Sequence, residues 1–387
     1  DGAASYIVIE EGSYRIAPAE AEFTDIAGLW GEEDILFTAY RQVFQGTGDG
    51  AFSPHMTMTR AMFVTVLWRM LGSPEPEKAA SLKAAMEEVL PGLVSFSACG
   101  LMDSRFRPEG WEEAFTFAPR MDDGEILRRL EDIDTVVFAG GISYCLEAEE
   151  QNLDIPGFKG GDRTDIELPA VQRNLLKMLH DAGKKIILVN FSGSAMGLVP
   201  ETETCDAILQ AWYPGQEGGR ALCDILFGSV SPSGKLPVTF YKNADQLPDF
   251  HDYDMKGHTY RYFSGEPLYP FGFGLSYTQF KYLKVKVRKG RLIVKVRNTG
   301  NRDAEEVVQM YVRRIDDAEG PFKTLRGFKR VAVKAGKKKK VIFALSPETF
   351  LWWSEAAGDM VPLTGNYEIQ AGGNSSDTKN VEYHFKG

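Results

Sequence analysis

The protein is a chain of 387 residues, of which 43% are hydrophobic, 12% are aromatic and 25% are charged. This length predicts two or three domains with sizeable cores, and this composition excludes global disorder. The formal net charge of −10 argues against affinity for nucleic acid or an anionic membrane. We also expect no membrane span, because no apolar run approaches the roughly 20 residues that cross a bilayer.

Residues 1–78 form a segment that differs from the rest of the chain. A short strand-like run, Tyr6–Ile9, precedes an aromatic-rich stretch, and the proline-containing run Ser73–Pro76 predicts a domain boundary after it. The chain begins at Asp1 without an initiator methionine, so we expect that processing or truncation has removed an earlier segment.

Residues 79–281 have the pattern of an α/β domain. Acidic residues in the first turn, followed by apolar Ile126 and Leu130, predict a capped helix near residues 122–130. Apolar spacings of three and four predict two more helices, one behind Pro169 and one over Glu217–Phe227 that ends at Gly228. Alternation of these helices with short apolar runs predicts a mostly parallel sheet with flanking helices, in which the strands are Leu93–Cys99, Thr135–Ala139, Lys185–Val189 and Ala207–Trp212.

Residues 282–387 change to a period of two. Several short strands separated by glycine-containing turns predict an antiparallel sandwich of about 100 residues. The basic run Lys337–Lys340 follows Gly336, and a solvated hairpin tip is the favoured interpretation over an anion-binding patch. The predicted strands are Leu292–Val296, Val307–Val312, Val341–Leu345 and Tyr367–Ala371.

Three carboxylates, Glu147, Glu149 and Glu150, follow the strand Thr135–Ala139 and a predicted turn at Gly140-Gly141. They are expected in a loop beyond the carboxyl end of that strand, where open α/β sheets bind ligands. Clustered carboxylates repel one another, and a partly desolvated member would have the raised pKa that a general acid needs. A solvated acidic loop is the alternative on spacing alone.

Other motifs give weaker signals of chemistry. Asp162 and Arg163 favour a structural role in fixing a loop, and Trp212–Gly219 could present backbone amides to an anion but lacks a phosphate-binding signature. Ser192-Gly193-Ser194 does not fit a hydrolase elbow, because that motif needs glycine at 192. The five histidines are scattered and the four cysteines form no CxxC pair, so we predict no metal site and no cofactor.

Six motifs occur in order between residues 120 and 281. They are Leu146-Glu-Ala-Glu149, Gly161-Asp-Arg163, Ala211-Trp-Tyr-Pro-Gly-Gln-Glu-Gly-Gly219, Pro232-Ser-Gly-Lys-Leu-Pro-Val-Thr-Phe240, Thr259-Tyr-Arg-Tyr-Phe263 and Tyr269-Pro-Phe-Gly-Phe-Gly-Leu-Ser-Tyr277. In this order they resemble the second domain of family 3 glycoside hydrolases. The continuation through Asn298-Thr-Gly300, Val307–Val312 and Leu325–Arg330 resembles the fibronectin type III-like domain of that family.

The resemblance implies a retaining, exo-acting β-glycosidase that uses two carboxylates. The acid/base residue of the family falls on Glu149, with Glu147 and Glu150 as alternatives. The Glu-Ala-Glu form and the long loop through Phe158 favour terminal β-xylosyl residues, with β-glucosyl residues as the close alternative. The family's nucleophile is an aspartate on an N-terminal barrel, and no such motif is found, so we expect the chain to be inactive without a barrel domain or chain as its partner.

The N-terminal segment contains the motifs Phe23-Thr-Asp25, Trp30, Gly46–Gly50, Phe52-Ser-Pro54 and Thr59-Arg-Ala61. Together they resemble a single S-layer homology repeat, the module that holds bacterial proteins on cell-wall polymers. A cell-wall polymer is therefore a further candidate partner, and a non-catalytic envelope-binding or scaffold protein is the alternative function. A functional repeat would place the protein in the cell envelope or outside the cell, and the cytoplasm is the alternative.

Overall fold

A computed structural model of the chain describes residues 5–10, 13–18, 86, 122–142, 157–159, 162–215 and 217–387. The chain divides into two compact units, Asp1–Lys78 and Ala79–Gly387. In the first unit, strands β1 (Ser5–Glu10) and β2 (Ser13–Pro18) form an antiparallel hairpin. The S-layer-like motifs and the predicted strand Leu93–Cys99 lie outside the described residues, so both stay predictions.

The centre of the second unit is a three-stranded parallel sheet in the order β3-β6-β7. The prediction of a mostly parallel sheet is therefore confirmed for this part of the chain. The α/β elements are α1 (Asp123–Arg129), β3 (Thr135–Gly141), the two-residue strands β4 (Phe158–Lys159) and β5 (Asp162–Arg163), α2 (Ala170–Asp181), β6 (Lys185–Phe191), α3 (Val199–Thr204), β7 (Ala207–Gln210), α4 (Gly218–Leu226), a 3₁₀ turn (Ala244–Gln246) and α5 (Thr259–Tyr262).

Helix α1 begins where the sequence predicts it. The side chain of Asp122 accepts a hydrogen bond from the Gly124 amide at 2.9 Å, which satisfies one of the free amides of the first turn. Ile126 and Leu130 are both buried, in one core with residues of α2 and β6. The helix therefore forms because its first turn is capped and its apolar face is buried, and both stabilise it.

Helices cover both faces of the sheet. Val136 and Phe138 of β3 pack against the core that contains residues of α1 and α2, whereas Val137 packs with Cys223 of α4. This alternation follows from the period of two along a strand. The three layers confirm the α/β sandwich and bring the carboxyl ends of all three strands to one edge.

The second half of the unit is a β-sandwich, as the period-two pattern predicts. A four-stranded sheet in the order β11-β10-β15-β16 faces a three-stranded sheet in the order β12-β9-β8. Its elements are β8 (Phe280–Val287), β9 (Arg291–Asn298), β10 (Ala304–Arg314), β11 (Thr324–Val333), β12 (Lys338–Ala344), a 3₁₀ turn (Pro347–Phe350), β13 (Leu351–Ser354), β14 (Asp359–Pro362), β15 (Gly365–Gly372) and β16 (Thr378–Phe385).

Two local predictions need correction. The Gly140-Gly141 pair was expected to form a turn but completes strand β3, paired with Asn190 and Phe191 of β6. The basic run Lys337–Lys340 is solvated, but Lys338–Lys340 are the first residues of β12 rather than a hairpin tip. Gly336 makes the turn itself, with a positive φ of 69°.

The sandwich is joined to the α/β domain by buried polar groups. The Gln309 carboxamide on β10 donates to the Gly272 carbonyl at 3.0 Å and to the Gly373 carbonyl at 2.5 Å. Nearby, the Lys235 ammonium lies 3.7 Å from the carboxylate of buried Glu306. Burial raises the pKa of Glu306, and Lys235 opposes that rise. These contacts tie the Tyr269–Tyr277 motif to the sandwich.

Candidate active site

The carboxyl end of β3 is built from two glycines for a steric reason. Gly141 has a φ of 126°, and a Cβ there would lie 1.9 Å from the Phe191 carbonyl oxygen. A Cβ on Gly140 would lie 2.6 Å from the Gln172 Oε1 atom. Gly141 requires glycine, because its φ is positive and the Phe191 backbone lies so close, whereas a Cβ at Gly140 would displace the ends of the Phe138 and Gln172 side chains.

Gln172 of α2 holds the backbone of Gly141 at two points. Its Oε1 accepts from the Gly141 amide at 2.8 Å, and its Nε2 donates to the Gly141 carbonyl at 2.7 Å. The side chain is 0% exposed, so both bonds are shielded from water. The last residue of β3 is therefore fixed in position and in the direction of its peptide groups.

Ile142, the next residue, is held by the last residue of β6 and by a residue that follows β7. Its amide donates to the Phe191 carbonyl at 2.9 Å, and its carbonyl accepts from the Tyr213 hydroxyl at 2.7 Å. Tyr213 follows Trp212, whose φ of 57° is rare for a residue with a side chain. The Trp212–Gly219 motif thus acts here through a tyrosine hydroxyl that contacts the backbone beyond β3.

Residues 157–164, which follow the Glu147–Glu150 segment in the sequence, are held by several contacts. Strands β4 and β5 pair as a short antiparallel hairpin, and the Thr164 amide donates to the Gly157 carbonyl at 2.8 Å. The Arg163 guanidinium donates to the Ser194 hydroxyl at 3.2 Å. These contacts support the structural role predicted for Arg163.

A cluster of uncharged polar side chains lies at the carboxyl ends of β6 and β7. Ser192 accepts from the Gln210 carboxamide at 3.0 Å and from the Asn190 amide nitrogen at 3.3 Å, and it donates to the Ser194 carbonyl at 2.9 Å. Ser192 is buried and its hydroxyl proton is already donated. The cluster orders this edge of the sheet and argues against a serine nucleophile.

Three charged side chains lie close to one another at helices α2 and α3. Glu167 forms an ion pair with Arg173 of α2, and burial raises the pKa of the nearby Glu201 carboxyl of α3.

Among the described residues, no group of histidine, cysteine, aspartate or glutamate side chains could hold a metal ion. No helix in the described part of the chain is long and apolar enough to cross a membrane.

The candidate acid/base residue Glu149 and its alternatives Glu147 and Glu150 lie in residues 143–156, outside the described residues. The assignment therefore stays a prediction, although the backbone on each side of the segment is described. Sequence reasoning missed Gln172, but a signal existed. Gln172 interrupts the apolar stripe Leu168, Leu175 and Leu179 at a core-facing position, where an unpaired polar group would be costly.

The profile of the Glycosyl hydrolase family 3 C-terminal domain matches residues 27–277, and that of the Fibronectin type III-like domain matches residues 306–375. The first match covers most of the chain and includes every strand of the parallel sheet. The two domain types predicted from the ordered motifs are confirmed, whereas the exact boundaries at residues 78 and 281 stay predictions.

Relatives support the same assignment. Xylan 1,4-β-xylosidase of Xylanibacter ruminicola is 51% identical over 263 residues, which cover 66% of this chain and 30% of that protein. Periplasmic β-glucosidase of Salmonella typhimurium is 35% identical over 269 residues, which cover 63% of this chain and 34% of that protein. The structure of the β-glucosidase EmGH1 of Erythrobacter marinus matches with a TM-score of 0.58 and 36% identity, covering 68% of this chain and 36% of that chain.

The chain spans about a third of the length of these relatives. Its α/β domain and its sandwich correspond to the two family profiles in the same order along the sequence. The protein therefore belongs to glycoside hydrolase family 3, of which it contains the C-terminal portion.

Proposed function

We propose that this chain supplies the acid/base carboxylate, Glu149, of a retaining exo-β-glycosidase. The observation that supports this most is the position of the Glu147–Glu150 segment. In the sequence it starts five residues after Ile142, which directly follows the carboxyl end of β3, and it precedes the β4-β5 hairpin. Ligands of open α/β sheets bind at this edge.

Glu149 would act twice in the reaction. As a protonated acid it donates its proton to the glycosidic oxygen while the leaving group departs, and as a carboxylate it then takes a proton from the water that hydrolyses the glycosyl-enzyme. Its two acidic neighbours, Glu147 and Glu150, favour the protonated form, because like charges raise the pKa of a carboxyl group.

The second carboxylate of the mechanism must come from outside the residues of this chain that resemble the family. In a retaining enzyme it lies about 5 Å from the acid/base group and forms the covalent intermediate. Family resemblance assigns it to an aspartate on an N-terminal barrel, and no matching motif is found between Asp1 and Gly387. We therefore expect no turnover by the chain alone and catalysis only when a barrel domain is supplied.

Terminal β-xylosyl residues are the favoured substrate class. The Glu-Ala-Glu form of the segment supports this choice, as does the 51% identity to a protein named as a xylan 1,4-β-xylosidase. β-Glucosyl residues are the alternative, since other relatives are named as β-glucosidases.

The test compares single Glu→Gln substitutions at 147, 149 and 150 in the chain joined to a family 3 barrel. Glu149→Gln should lower kcat/KM for xylobiose by about 10²-fold or more, since general acid catalysis contributes on that order. The substitution should lower kcat/KM for 2,4-dinitrophenyl β-xyloside much less, because that leaving group departs without a proton. The other two substitutions are matched controls, and a leaving-group-dependent loss at either instead of Glu149 would refute the assignment.

The S-layer-like motifs favour a second hypothesis, attachment to a cell-wall polymer. A pull-down of the full chain with purified cell-wall polymer tests it, with Trp30→Ala as the comparison. Retention of the wild-type chain with loss in the variant is the expected result for a functional repeat, and a chain that stays in the supernatant excludes it.

A further inference from the structure

We propose that Arg261, Thr324 and Arg326 bind an oxyanion, the phosphate or carboxylate group of a small molecule, where helix α5 meets the start of strand β11. The inference does not depend on the proposed glycosidase function, because these residues lie on other elements than the Glu147–Glu150 segment. Its test measures binding and stability rather than catalysis.

Unpaired buried polar atoms are concentrated at this junction. Among the described residues, eight buried side-chain nitrogen or oxygen atoms have no hydrogen-bond partner, and four of them lie beside α5, on α5 or at the start of β11. They are Nε2 of His258, Nε of Arg261, Oγ1 of Thr324 and Nε of Arg326. All four can donate a hydrogen bond. Buried polar groups are normally paired, so a group of unpaired donors indicates that an acceptor completes the site.

Two hydrogen bonds hold α5 against the start of β11. The Phe322 amide donates to the Arg261 carbonyl at 2.7 Å, and the Leu325 amide donates to the Tyr260 hydroxyl at 3.0 Å. The two guanidinium groups are near enough to repel each other, since the charge of Arg261 adds to burial in lowering the pKa of Arg326. Two neighbouring positive charges favour the binding of an anion at this place.

A β-bulge changes the direction of the Arg326 side chain. Tyr311 of β10 pairs with Leu325, whereas Met310 pairs with Gly327, so Arg326 is an extra residue in the ladder. Bulges re-aim a side chain and are frequent beside functional sites. Arg326 is therefore placed by a local departure from the regular strand, which packing of the sandwich core does not require.

No described residue neutralises the two guanidinium groups. Arg326 donates to the Leu351 carbonyl, and Arg261 lies 5.6 Å from the centroid of the Tyr262 ring, but neither forms an ion pair within the described part of the chain. Both side chains are half-buried. Partial removal of a charge from water without an opposite charge costs free energy.

The carboxylates of the β10-β11 connection are bound to other donors. Asp316 accepts from the Asn366 amide at 2.7 Å, and Asp317 accepts from the Trp352 indole nitrogen at 2.7 Å. Neither of them pairs with the two arginines in the part of the chain that the structure describes. An oxyanion from outside the chain would supply the missing charge.

Guanidinium groups select the chemical class of this ligand. Their planar sets of donors match the oxygen atoms of phosphate and carboxylate groups, and the Thr324 hydroxyl adds a single donor. A neutral sugar would accept the hydrogen bonds but would leave both charges uncompensated. Inorganic phosphate and glucuronate share the required chemistry and are therefore the two probes.

The test follows thermal unfolding of the full chain as phosphate or glucuronate replaces chloride at constant ionic strength. The wild-type chain should gain stability in a saturable way, because the ligand binds only the folded state. Arg261→Met should weaken the apparent affinity about 10-fold or more, since it removes a charged donor. Thr324→Val keeps the shape of the side chain and should weaken the affinity about 3-fold, since it removes a neutral donor.

Stability in chloride separates this role from a structural one. The Arg261 guanidinium and the Thr324 hydroxyl donate no hydrogen bond to a described residue, so both variants should be at least as stable as wild type without the ligand. Arg302→Met is the matched control, because Arg302 also lies 5.6 Å from a tyrosine ring centroid but donates to the Gly228 carbonyl. This control should lose stability in chloride and keep the full gain with the ligand.

Three results would overturn the inference. They are a wild-type chain without a saturable gain from either probe, an unchanged affinity in Arg261→Met, and an equal loss of affinity in Arg302→Met. General stabilisation by salt acts on all variants alike, so the comparison with Arg302→Met removes it. A saturable gain that Arg261→Met weakens supports the site, and the probe that binds more tightly identifies the group it takes.

Discussion

Gln309→Leu should show how strongly the sandwich is tied to the α/β domain. The wild-type carboxamide makes three hydrogen bonds, of which the first and third are buried and the second is half-buried: it donates to the Gly272 and Gly373 carbonyls and accepts from the Tyr311 hydroxyl at 2.5 Å. Gly272 belongs to the α/β domain, whereas Gly373 and Tyr311 belong to the sandwich. The substitution keeps a side chain of similar volume and removes all three bonds.

The magnitude follows from the groups left behind. Each unpaired buried partner costs about 1–3 kcal/mol, so the Gly272 carbonyl and the Tyr311 hydroxyl together should cost at least about 2 kcal/mol, and the half-buried Gly373 carbonyl adds about 1 kcal/mol. Burial of the additional apolar atoms of leucine offsets about 1 kcal/mol of this. We therefore expect the free energy of unfolding to fall by about 2–4 kcal/mol, given that such contributions are not strictly additive.

The assay is urea denaturation followed by far-UV circular dichroism and by tryptophan fluorescence. Gln370→Leu is the matched control: Gln370 is buried in the same sheet, but its partners Glu368 and Thr378 are half-buried and can reach water. That control should lose only about 1 kcal/mol. In Gln309→Leu the two probes should also separate, because the domains no longer unfold together.

Two results would refute this reasoning. One is a loss in Gln309→Leu that is no larger than the loss in Gln370→Leu, which would mean that the domain-bridging bonds add nothing to stability. The other is full stability with coincident transitions, which would mean that the two domains are joined by other contacts.

Three further predictions address single residues. Gly141→Ala should lower the free energy of unfolding, measured by thermal denaturation, by more than about 2 kcal/mol, because residue 141 has a positive φ and a Cβ there would clash. The control Gly183→Ala also has a positive φ but open space around it, so it should cost about 1 kcal/mol. Equal losses in the two variants would contradict the clash. Burial raises the pKa of Glu201, so the contribution of this carboxyl group to stability is present at low pH and is lost as pH rises through the raised pKa. The stability of Glu201→Gln relative to wild type, measured by urea denaturation, should therefore be greater at pH 7 than at pH 4. The same relative stability at both pH values would contradict the raised pKa. Burial raises the pKa of Cys205 to about 11, so iodoacetamide should alkylate it at pH 8 roughly 10²-fold more slowly than it alkylates an unfolded control. Peptide mass spectrometry measures both rates. Alkylation at the control rate would show that Cys205 is an accessible thiolate.

Much of the fold could be predicted because its signals are local. The acidic first turn and the apolar spacing of Ile126 and Leu130 predicted α1, and the structure shows the Asp122 cap and both side chains buried. Short apolar runs predicted β3, β6 and β7, and the change to a period of two predicted the sandwich. Local patterns succeed here because each element buries its apolar face in the layer that its period implies.

The site was harder to predict because its contacts join distant parts of the chain. Gly140 and Gly141 were predicted to form a turn, but they pair with Asn190 and Phe191 of β6 and end a strand. The contacts that make glycine suitable there, with Phe191 and Gln172, come from distant parts of the chain. The Glu149 assignment depends on family resemblance and stays a prediction, since neither spacing nor the described structure distinguishes it from its acidic neighbours.

By itself, the sequence determined the family and the two domain types, and it predicted the edge of the sheet at which the catalytic residue lies. Ordered motifs and periodicity are properties of neighbouring residues, so they can be recognised without a fold. Only the tertiary structure decided that Gln172 holds the backbone of Gly141 at the carboxyl end of β3. That contact joins residues 31 positions apart, and its strength comes from burial, which exists only after helix α2 has packed on the sheet.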